Sequence, residues 1–318
     1  MAKAILRPVR NPAQGSRARG TRAGEGVTLS QLLQVLINGL AVGCIYGLIA
    51  LGFVLVYKAT EMVNFAQGDL MMLGAFMAVT LIGDFGLPWA LGLLLSVLAL
   101  AVFGYLLDAF VLRRVLGEPQ FAIVMLTIGL GFIFRAVAGL VWGYDPRSFP
   151  TPYTGESLRV GEVVVSYENL AILLGTLVLC VVLFLFFRHT RLGIGMQATS
   201  QNQLAAYYVG IPVKRVFSLV WAISAGVAAV AGILLAPVSL VQPGMGFIGI
   251  KAFAAAVIGG FGSIPGALLG GWIIGIAEQV AGVYLPAGFQ EMAAYGILIL
   301  ALILRPEGLF AQIQRKKV

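Results

Sequence analysis

The sequence predicts an all-α, polytopic helical membrane protein with about eight to nine membrane segments, some of them broken near the bilayer midplane. Of its 318 residues, 60% are hydrophobic and only 11% are charged, whereas soluble domains carry about 25% charged residues. The apolar runs are continuous rather than alternating, which favours helices among the structures that satisfy the backbone in lipid. Basic residues lie at the chain ends and between these runs, where the positive-inside rule places them. We therefore interpret the net charge of +8 as a sign of membrane topology and not of nucleic-acid binding.

Both ends of the chain are polar and basic. Residues 1–30 are rich in Arg, Gly, Ala and Pro and contain no apolar run long enough for a signal peptide. This composition predicts a disordered basic tail that stays in the cytoplasm. The membrane domain is expected to occupy residues 31–305, and residues 306–318 are expected to form a second cytoplasmic tail.

The membrane domain begins with one long apolar run and one short run. The long run, Leu32–Tyr57, contains four glycines, which give a face that another helix can approach closely. After a polar interval, a second run resumes at Leu70 and ends near Ile82, short of the roughly 20 residues that a full crossing needs. The segment Tyr57–Ile82 is therefore predicted to be broken or re-entrant.

Seven further apolar runs follow, and most of them are long enough to cross a bilayer. They are Trp89–Leu112, Phe121–Trp142, Leu170–Phe187, Phe217–Leu240, the short run Ile248–Gly260, Ala267–Leu285 and Met292–Leu304. The polar interval 143–169 separates the second and third of these runs. Within it, Gly161 and Glu162 are predicted to close a small β-hairpin over Ser157–Tyr167.

The distribution of basic residues gives an orientation, with one conflict. When the basic C-terminus is placed inside, the positive-inside rule puts 188–216 in the cytoplasm and 143–169 outside. The same count puts residues 1–30 outside if Leu32–Ile82 crosses twice, whereas their basic composition favours the inside. We prefer the interpretation in which Tyr57–Ile82 changes the number of crossings.

The longest polar interval within the apolar sequence is Arg188–Phe217, which has basic residues at both ends. Between them, Met196–Val209 contains no Pro or Gly and is predicted to form one short helix that Gly210 ends. Four residues on that helix are spaced by three or four and would share one face that shows small side chains: Ala198, Asn202, Ala205 and Val209. Such a face suits close contact with another protein, and an ordinary solvated loop is the alternative.

Two places interrupt the membrane helices with polar or glycine residues: the sequence NFAQGD at 64–69 and the stretch Gly259–Pro265. Paired interruptions predict a substrate route near the midplane, where freed backbone groups face a cavity. Tight helix packing is the simpler explanation for isolated glycines, but it does not explain a cluster of Asn, Gln and Asp. The predicted route residues are Asn64, Phe65, Gln67, Gly68, Gly259, Gly260, Gly262 and Ser263.

Few other residues have the character of a functional site. Glu278 lies inside an apolar run and Lys251 lies near the edge of one, so either is a candidate functional ion. Cys44 and Cys180 lie in apolar runs without disulfide or metal-site spacing. The chain contains no P-loop, HExxH or GxSxG motif, and its one histidine lies beside an arginine. We therefore expect no catalytic residue, no metal site and no cofactor on this chain.

Five blocks of the sequence together resemble the permease subunits of branched-chain amino acid ABC transporters of the LivH type. They are NGLAVGCIYGLIALGFVLVYKATEMVNFAQGDLMMLGAF (38–76), ATSQNQLAAYYVGI (198–211), AGVAAVAGILLAP (225–237), KAFAAAVIGGFGSIPGALLGGWIIGIAE (251–278) and RPEGLF (305–310). The resemblance covers nearly everything after residue 30, and the order and spacing of the blocks are specific to this family. The chain departs from the family pattern at Gln197, where Arg is common, and at Lys58, where Gly is frequent.

The resemblance implies the membrane subunit of an importer for branched-chain or similar small apolar amino acids in the bacterial inner membrane. The implied partners are two ATPase subunits that bind ATP, a second homologous permease or another copy of this chain, and an external solute-binding protein that meets 143–169. The resemblance also implies that a segment from Gln201 to Gly210 docks on an ATPase subunit. The contact residues carried over for this coupling are Gln201, Asn202, Ala205, Ala206 and Gly210.

Two alternatives stay open at this point. A permease for urea or short amides shares the same sequence blocks, and the apolar route residues do not separate the two substrates by charge. A stand-alone secondary transporter belongs to a different class, and it would have no use for a docking segment. A proton-coupled transporter of that class would also need several buried carboxylates, whereas Glu278 alone lies well inside the spans.

Overall fold

A computed structural model describes residues 29–115, 117–149, 151–305 and 308–310. The predicted tails at 1–30 and 306–318 lie outside these ranges, apart from residues 29–30 and 308–310. Within them the chain forms α-helices and one two-stranded sheet. The helices are α1 (Leu29–Thr60), α2 (Gln67–Ala78), α3 (Trp89–Phe110), α4 (Gln120–Trp142), α5 (Tyr167–His189), α6 (Arg191–Gln201), α7 (Gln203–Tyr208), α8 (Val213–Leu235), α9 (Ile248–Gly259), α10 (Ile264–Tyr284) and α11 (Phe289–Leu304), and the strands are β1 (Ser157–Val160) and β2 (Val163–Ser166).

The predicted helical membrane fold is confirmed. Six helices, α1, α3, α4, α5, α8 and α10, are long and apolar enough to span a bilayer, and two shorter apolar segments contain α9 and α11. A π-helical segment, Val79–Asp84, extends α2. The resulting run of 18 residues is roughly 27 Å long at 1.5 Å per residue. The described residues therefore contain nine membrane segments, within the predicted range.

Helix α1 lies at the centre of the fold and packs most extensively against α10. Glycines on both helices make this close approach possible. A Cβ atom added at Gly39 would lie 2.7 Å from Ile276 Cα, and one added at Gly43 would lie 2.8 Å from the carbonyl oxygen of Gly271. The small-residue face predicted from the glycines of Leu32–Tyr57 is therefore confirmed, and glycines of α10 lie opposite it.

Helices α3 and α8 form a second tightly packed pair. A Cβ atom at Gly104 of α3 would lie 2.6 Å from the carbonyl oxygen of Trp221 on α8. Trp221 is among the largest fully buried side chains, at 1% exposure. Because α8 also packs against α1 and α2, it joins the two pairs into one core.

Polar contacts define two opposite ends of the helix bundle. At one end, which we name the hairpin face, Asn169 Nδ2 donates to Asn38 Oδ1 near the start of α1 at 2.9 Å. At the other end, which we name the coupling face, Gln203 Nε2 donates to the carbonyl oxygen of Ala59 at 3.2 Å. The hairpin face carries β1 and β2, and the coupling face carries α6 and α7.

The path of the chain corrects one expectation about topology. Helix α1 runs uninterrupted from the hairpin face to the coupling face. The segment that follows returns to the hairpin face, where Arg147 Nη1 lies 3.3 Å from Asp84 Oδ2. Leu32–Ile82 therefore crosses twice, and the preferred interpretation with a changed crossing number is wrong. Leu29 consequently lies at the hairpin face.

The predicted β-hairpin is confirmed. Strands β1 and β2 pair antiparallel, with Val160 opposite Val163 and Ser157 opposite Ser166. Gly161 has a φ of 65°, which a two-residue hairpin turn requires and which glycine adopts without strain.

Candidate functional site

The interruption between α1 and α2 is held by a buried network of side-chain hydrogen bonds. Asn64 Nδ2 donates to Gln67 Oε1 at 3.1 Å, and Gln67 Nε2 donates to the carbonyl oxygen of Ser224 at 3.2 Å. Ser224 Oγ donates to the carbonyl oxygen of Gly52 at 3.0 Å. Asn64 and Gln67 are 1% and 0% exposed. In this conformation the two amides therefore fix the break, and neither faces open space.

The first residues of α2 and α9 meet through glycines. A Cβ atom added at Gly68 would lie 2.7 Å from Gly249 Cα, and it would also clash with the carbonyl oxygen of Gly246. Only glycine leaves room for this approach of two backbones. The structure thus explains the predicted route residue Gly68 as the contact point of two half-length helices.

A buried ion pair lies beside this contact. Arg135 Nε lies 2.5 Å from Asp69 Oδ1, and Arg135 Nη2 lies 3.1 Å from Asp69 Oδ2. The guanidinium carbon also lies 3.9 Å from the centroid of the Phe247 ring. A two-point contact of this kind fixes the relative position of α2 and α4. Sequence reasoning did not pair these two charges, because they are 66 residues apart in the chain.

The second interruption, between α9 and α10, is built from glycine and one cap. Gly260 has a φ of 88°, in the left-handed region. Ser263 Oγ then accepts a hydrogen bond from Gly266 N at 3.0 Å and caps α10. Of the predicted route residues here, Gly259 and Gly260 are buried, Ser263 is half-buried and Gly262 is exposed.

Five aromatic side chains connect the two interruptions, and we name them the aromatic cluster: Phe53, Tyr57, Phe65, Phe253 and Phe261. The ring centroids of Phe65 and Phe253 are 5.1 Å apart, and those of Tyr57 and Phe261 are 4.8 Å apart. Phe253 also contacts Phe53 and Phe261. The two breaks that the sequence predicts to act together are therefore neighbours in space.

A second ion pair involves the two charges singled out in the sequence. Lys251 Nζ lies 2.5 Å from Glu278 Oε1, and Tyr46 OH donates to Glu278 Oε2 at 2.5 Å. Glu278 is buried and Lys251 is half-buried. This triad joins α1, α9 and α10. A carboxylate satisfied on both oxygens stabilises the junction of these three helices.

On the coupling face, the single helix predicted over Met196–Val209 is wrong. Thr190 Oγ1 accepts a hydrogen bond from Gly193 N at 2.9 Å, so α6 begins earlier than predicted. Asn202 is extended, and its Oδ1 accepts from Ala205 N at 2.9 Å to start α7. Asn202 therefore caps a second helix instead of continuing the first, and the residues predicted to share one face do not do so.

Helix α7 and the residue after it expose a cluster of apolar side chains on the coupling face. Leu204, Tyr207, Tyr208 and Val209 are 69%, 67%, 82% and 76% exposed, whereas Ala206 is buried against the rest of the chain. We name these four exposed side chains the docking patch. Contiguous exposed apolar groups of this kind mark interaction sites on proteins.

Most residues predicted to contact a partner are accessible. Gln201, Asn202, Ala205 and Gly210 are exposed, and Ala206 is the exception. Gly210 has a φ of 84°, so the chain turns sharply after α7. The structure therefore leaves this segment free to meet another surface, with Ala206 as its anchor to the bundle.

Hydrogen bonds attach this segment firmly to the membrane helices. Besides the bond from Gln203 to Ala59, Arg113 Nη2 donates to the carbonyl oxygen of Lys214 at 3.2 Å and to Ser218 Oγ at 2.6 Å. These contacts fix α7 and the start of α8 against the ends of α1 and α3. A docked partner would therefore act directly on the membrane helices.

The profile of the family described as "Branched-chain amino acid transport system / permease component" matches residues 35–304. This chain belongs to that family. The permease is 34% identical over 300 residues to the high-affinity branched-chain amino acid transport system permease protein BraD of Pseudomonas aeruginosa, covering 90% of this chain and 98% of the relative. It is 32% identical over 305 residues to the corresponding protein LivH of Escherichia coli K12, with coverage of 90% and 97%.

A more distant relative carries a different name. The permease is 25% identical over 260 residues to the fructose import permease protein FruG of Bifidobacterium longum, covering 75% of this chain and 74% of the relative. Membership of this family makes the chain a transport subunit and not an enzyme. The description "permease component" and the apolar helices together identify it as a multi-pass membrane subunit of a larger transport system.

Proposed function

We propose that this permease is the membrane subunit of an ATP-binding cassette importer for branched-chain or similar small apolar amino acids in the bacterial inner membrane. The docking patch is the observation that carries the proposal. Its four apolar side chains lie outside the core, on a segment hydrogen-bonded to the end of α1 and followed directly by α8. A transporter that works alone has no use for such a surface.

The proposed assembly contains two ATPase subunits that bind ATP, a second permease that is either homologous or identical, and an external solute-binding protein. The coupling face then lies in the cytoplasm, and the interval 143–169 on the hairpin face meets the binding protein. The tyrosines of the docking patch fit the role of anchors, since Tyr is enriched among the residues that dominate protein interfaces. The contact residues are proposed to be Gln201, Asn202, Ala205 and Gly210 beside the docking patch, while the buried Ala206 holds the segment in place.

The proposed substrate route passes between the two helix breaks. Its residues are Asn64, Phe65, Gln67, Gly68, Gly259, Gly260, Gly262 and Ser263. The aromatic cluster occupies the space between these breaks, which supports a route closed in this conformation and an apolar cargo when it opens. An apolar amino acid also carries an ammonium and a carboxylate group, which the helix ends at the breaks are suited to bind once the route opens.

The first experiment tests docking. Ala205→Arg places a long cation on an exposed position of α7, so it leaves the fold intact and blocks close contact. The proposal expects at least a tenfold loss of co-purified ATPase subunit, because central interface positions contribute about 2 kcal/mol or more. Tyr144→Asp, at a 71% exposed aromatic on the hairpin face just after α4, is the control and should retain the ATPase subunit. Unchanged co-purification in the Ala205→Arg variant would refute the docking role.

The second experiment tests the cargo. Proteoliposomes with the assembled transporter and internal ATP are supplied with labelled leucine, urea or fructose and the purified binding protein. The proposal expects leucine uptake that depends on ATP and is lost in the Ala205→Arg variant. Uptake of urea or fructose alone would keep the architecture and change the substrate. Uptake that follows a proton gradient without ATP would refute the whole assignment.

A further inference from the structure

A cavity of about 360 Å³ opens between α1, α5, α6 and α10. It lies beside the coupling face, since its walls come from the last turns of α1 and α5 and the first turn of α10. None of the side chains of the aromatic cluster or of the network around Asn64 and Gln67 lines it, although Pro265 at the end of the second break does. Its volume lies within the range of ligand pockets, which span roughly 300–1,000 Å³.

The cavity is apolar along its length and polar at one end. Leu51 and Leu55 of α1 and Leu183 of α5 form apolar walls within the membrane. Lys58, near the end of α1, and Ser200 of α6 lie where the cavity reaches the coupling face. A site with an apolar body and a polar, cationic end is complementary to an amphiphile with an anionic head.

Lys58 is available to such a ligand. Within the described part of the chain it has no hydrogen-bond or ion-pair partner, whereas Arg135 and Lys251 are each paired with a buried carboxylate. A second cation lies close by: the guanidinium carbon of Arg188 is 5.6 Å from the ring centroid of Phe184, which lines the cavity. Lys58 at the mouth, with Arg188 near the α5 wall, favours an anionic headgroup, and the nearby carboxylate of Glu61 is exposed to solvent and does not line the cavity.

We propose that this cavity binds an acyl chain of an anionic phospholipid from the leaflet at the coupling face, with the phosphate at Lys58. The charge at the mouth argues for this occupant over a zwitterionic lipid or an apolar helix of a partner. The bound lipid contacts both Lys58 of α1 and Gln197 of α6. Since Gln203 already joins α7 to Ala59, the lipid stabilises the same junction from its membrane side.

The native Cys180 provides the test, because it lines the cavity and is half-buried. The complete transporter is reconstituted in nanodiscs of either phosphatidylglycerol or phosphatidylcholine and treated with N-ethylmaleimide. Modification at Cys180 is followed by peptide mass spectrometry, which separates it from the buried Cys44. We expect modification to be about fivefold slower in phosphatidylglycerol, as one Lys–headgroup contact near the surface implies.

Two variants identify the cause of that protection. Lys58→Gln should abolish the difference between the two lipids, whereas Lys214→Gln, at an exposed lysine outside the cavity, should preserve it. Equal rates in the two lipids, or a difference that persists in Lys58→Gln, would overturn the proposal. Slow modification in both lipids and in detergent would also overturn it, since a protein partner would then cover the cavity.

Retention of lipid gives an independent measurement. Cys180→Trp fills the cavity, and Val181→Trp places the same side chain at the next position, which is 48% exposed and outside the cavity. After extensive detergent exchange, native mass spectrometry should find phosphatidylglycerol retained by wild type and Val181→Trp and lost from Cys180→Trp. Equal retention by the two tryptophan variants would contradict a lipid in this cavity.

Discussion

The two interruptions of the membrane helices perform the same structural task by different means. At the first, Asn64 and Gln67 replace the lost backbone hydrogen bonds with side-chain bonds to each other and to Ser224. At the second, Gly259 and Gly260 bring backbones together, and only Ser263 contributes a side-chain cap. The first break therefore depends on hydrogen bonds made by buried polar side chains, and the second depends on glycines that let two backbones approach closely. The difference indicates which kind of substitution each break tolerates.

The Asp69–Arg135 ion pair lies at the first break, and removing one of its partners should have the largest effect. Asp69→Ala leaves the Arg135 guanidinium without its carboxylate, and breaking a buried pair costs about 3–5 kcal/mol. We expect a strongly lowered thermal unfolding midpoint of the purified permease. Asp84→Ala, which removes a pair whose partners are 36% and 54% exposed, should cost at most about 1 kcal/mol.

A double variant sharpens that result. Asp69→Leu with Arg135→Leu removes both charges and should recover part of the stability lost by either single substitution, because no uncompensated charge remains. A double variant as unstable as Asp69→Ala would mean that the pair is not the source of the effect.

Added volume at the second break should have the next largest effect. A Cβ atom at Gly259 would clash with the carbonyl group of Gly266, so Gly259→Val should cost about 3 kcal/mol or more. Gly262→Ala is the matched control, since nothing lies within 4 Å of its added Cβ. Fluorescence-detected size-exclusion chromatography after heating compares the two variants. Equal behaviour would contradict the packing explanation.

Loss of an amide should affect the first break by a smaller amount. Gln67→Leu removes the partner of Asn64 and leaves buried polar atoms unsatisfied, at a cost of about 1–3 kcal/mol. Gln242→Leu, at an exposed amide, should change stability by about 0.5 kcal/mol or less. Thermal unfolding of both variants measures the difference. A Gln67→Leu permease as stable as wild type would show that the network does not hold the break.

The helix cap at the second break should contribute least. Ser263→Ala removes the acceptor for Gly266 N, and an N-cap of this kind contributes about 1 kcal/mol. Ser263→Asp retains an acceptor and should restore most of the stability of α10. A thermal midpoint equally low in both variants would assign the effect to something other than the cap.

Hydropathy and turn signals predicted the segments, the hairpin and the two breaks, because each is set by residues close together in sequence. The partners of the break residues were not predictable in this way. Ser224 completes the network around Gln67 from 157 residues away, and no local pattern connects them. The position of Leu29 at the hairpin face was also not predicted. The basic charge of residues 1–30 favoured the cytoplasmic side, whereas the number of membrane crossings placed them on the opposite side.

The coupling segment shows where local rules conflict. Because Met196–Val209 contains no Pro or Gly, one helix was predicted to continue through Asn202. Instead, the Asn202 side chain accepts a hydrogen bond from Ala205 N, so α6 ends before it and α7 begins after it. Asn competes for backbone donors in this way and favours caps over helix interiors. Its residue type was therefore the available signal. The exposure of Tyr207 and Tyr208 was beyond any local pattern, since it depends on what the neighbouring helices leave uncovered.

The bond from Gln203 to Ala59 has a mechanical consequence. Tyr57 lies two residues before Ala59 on the same helix, and its ring contacts Phe261 in the second break. Any displacement of α7 therefore either breaks the Gln203 bond or moves the wall of the break itself. The path from α7 to the second break therefore runs along less than one helical turn of α1.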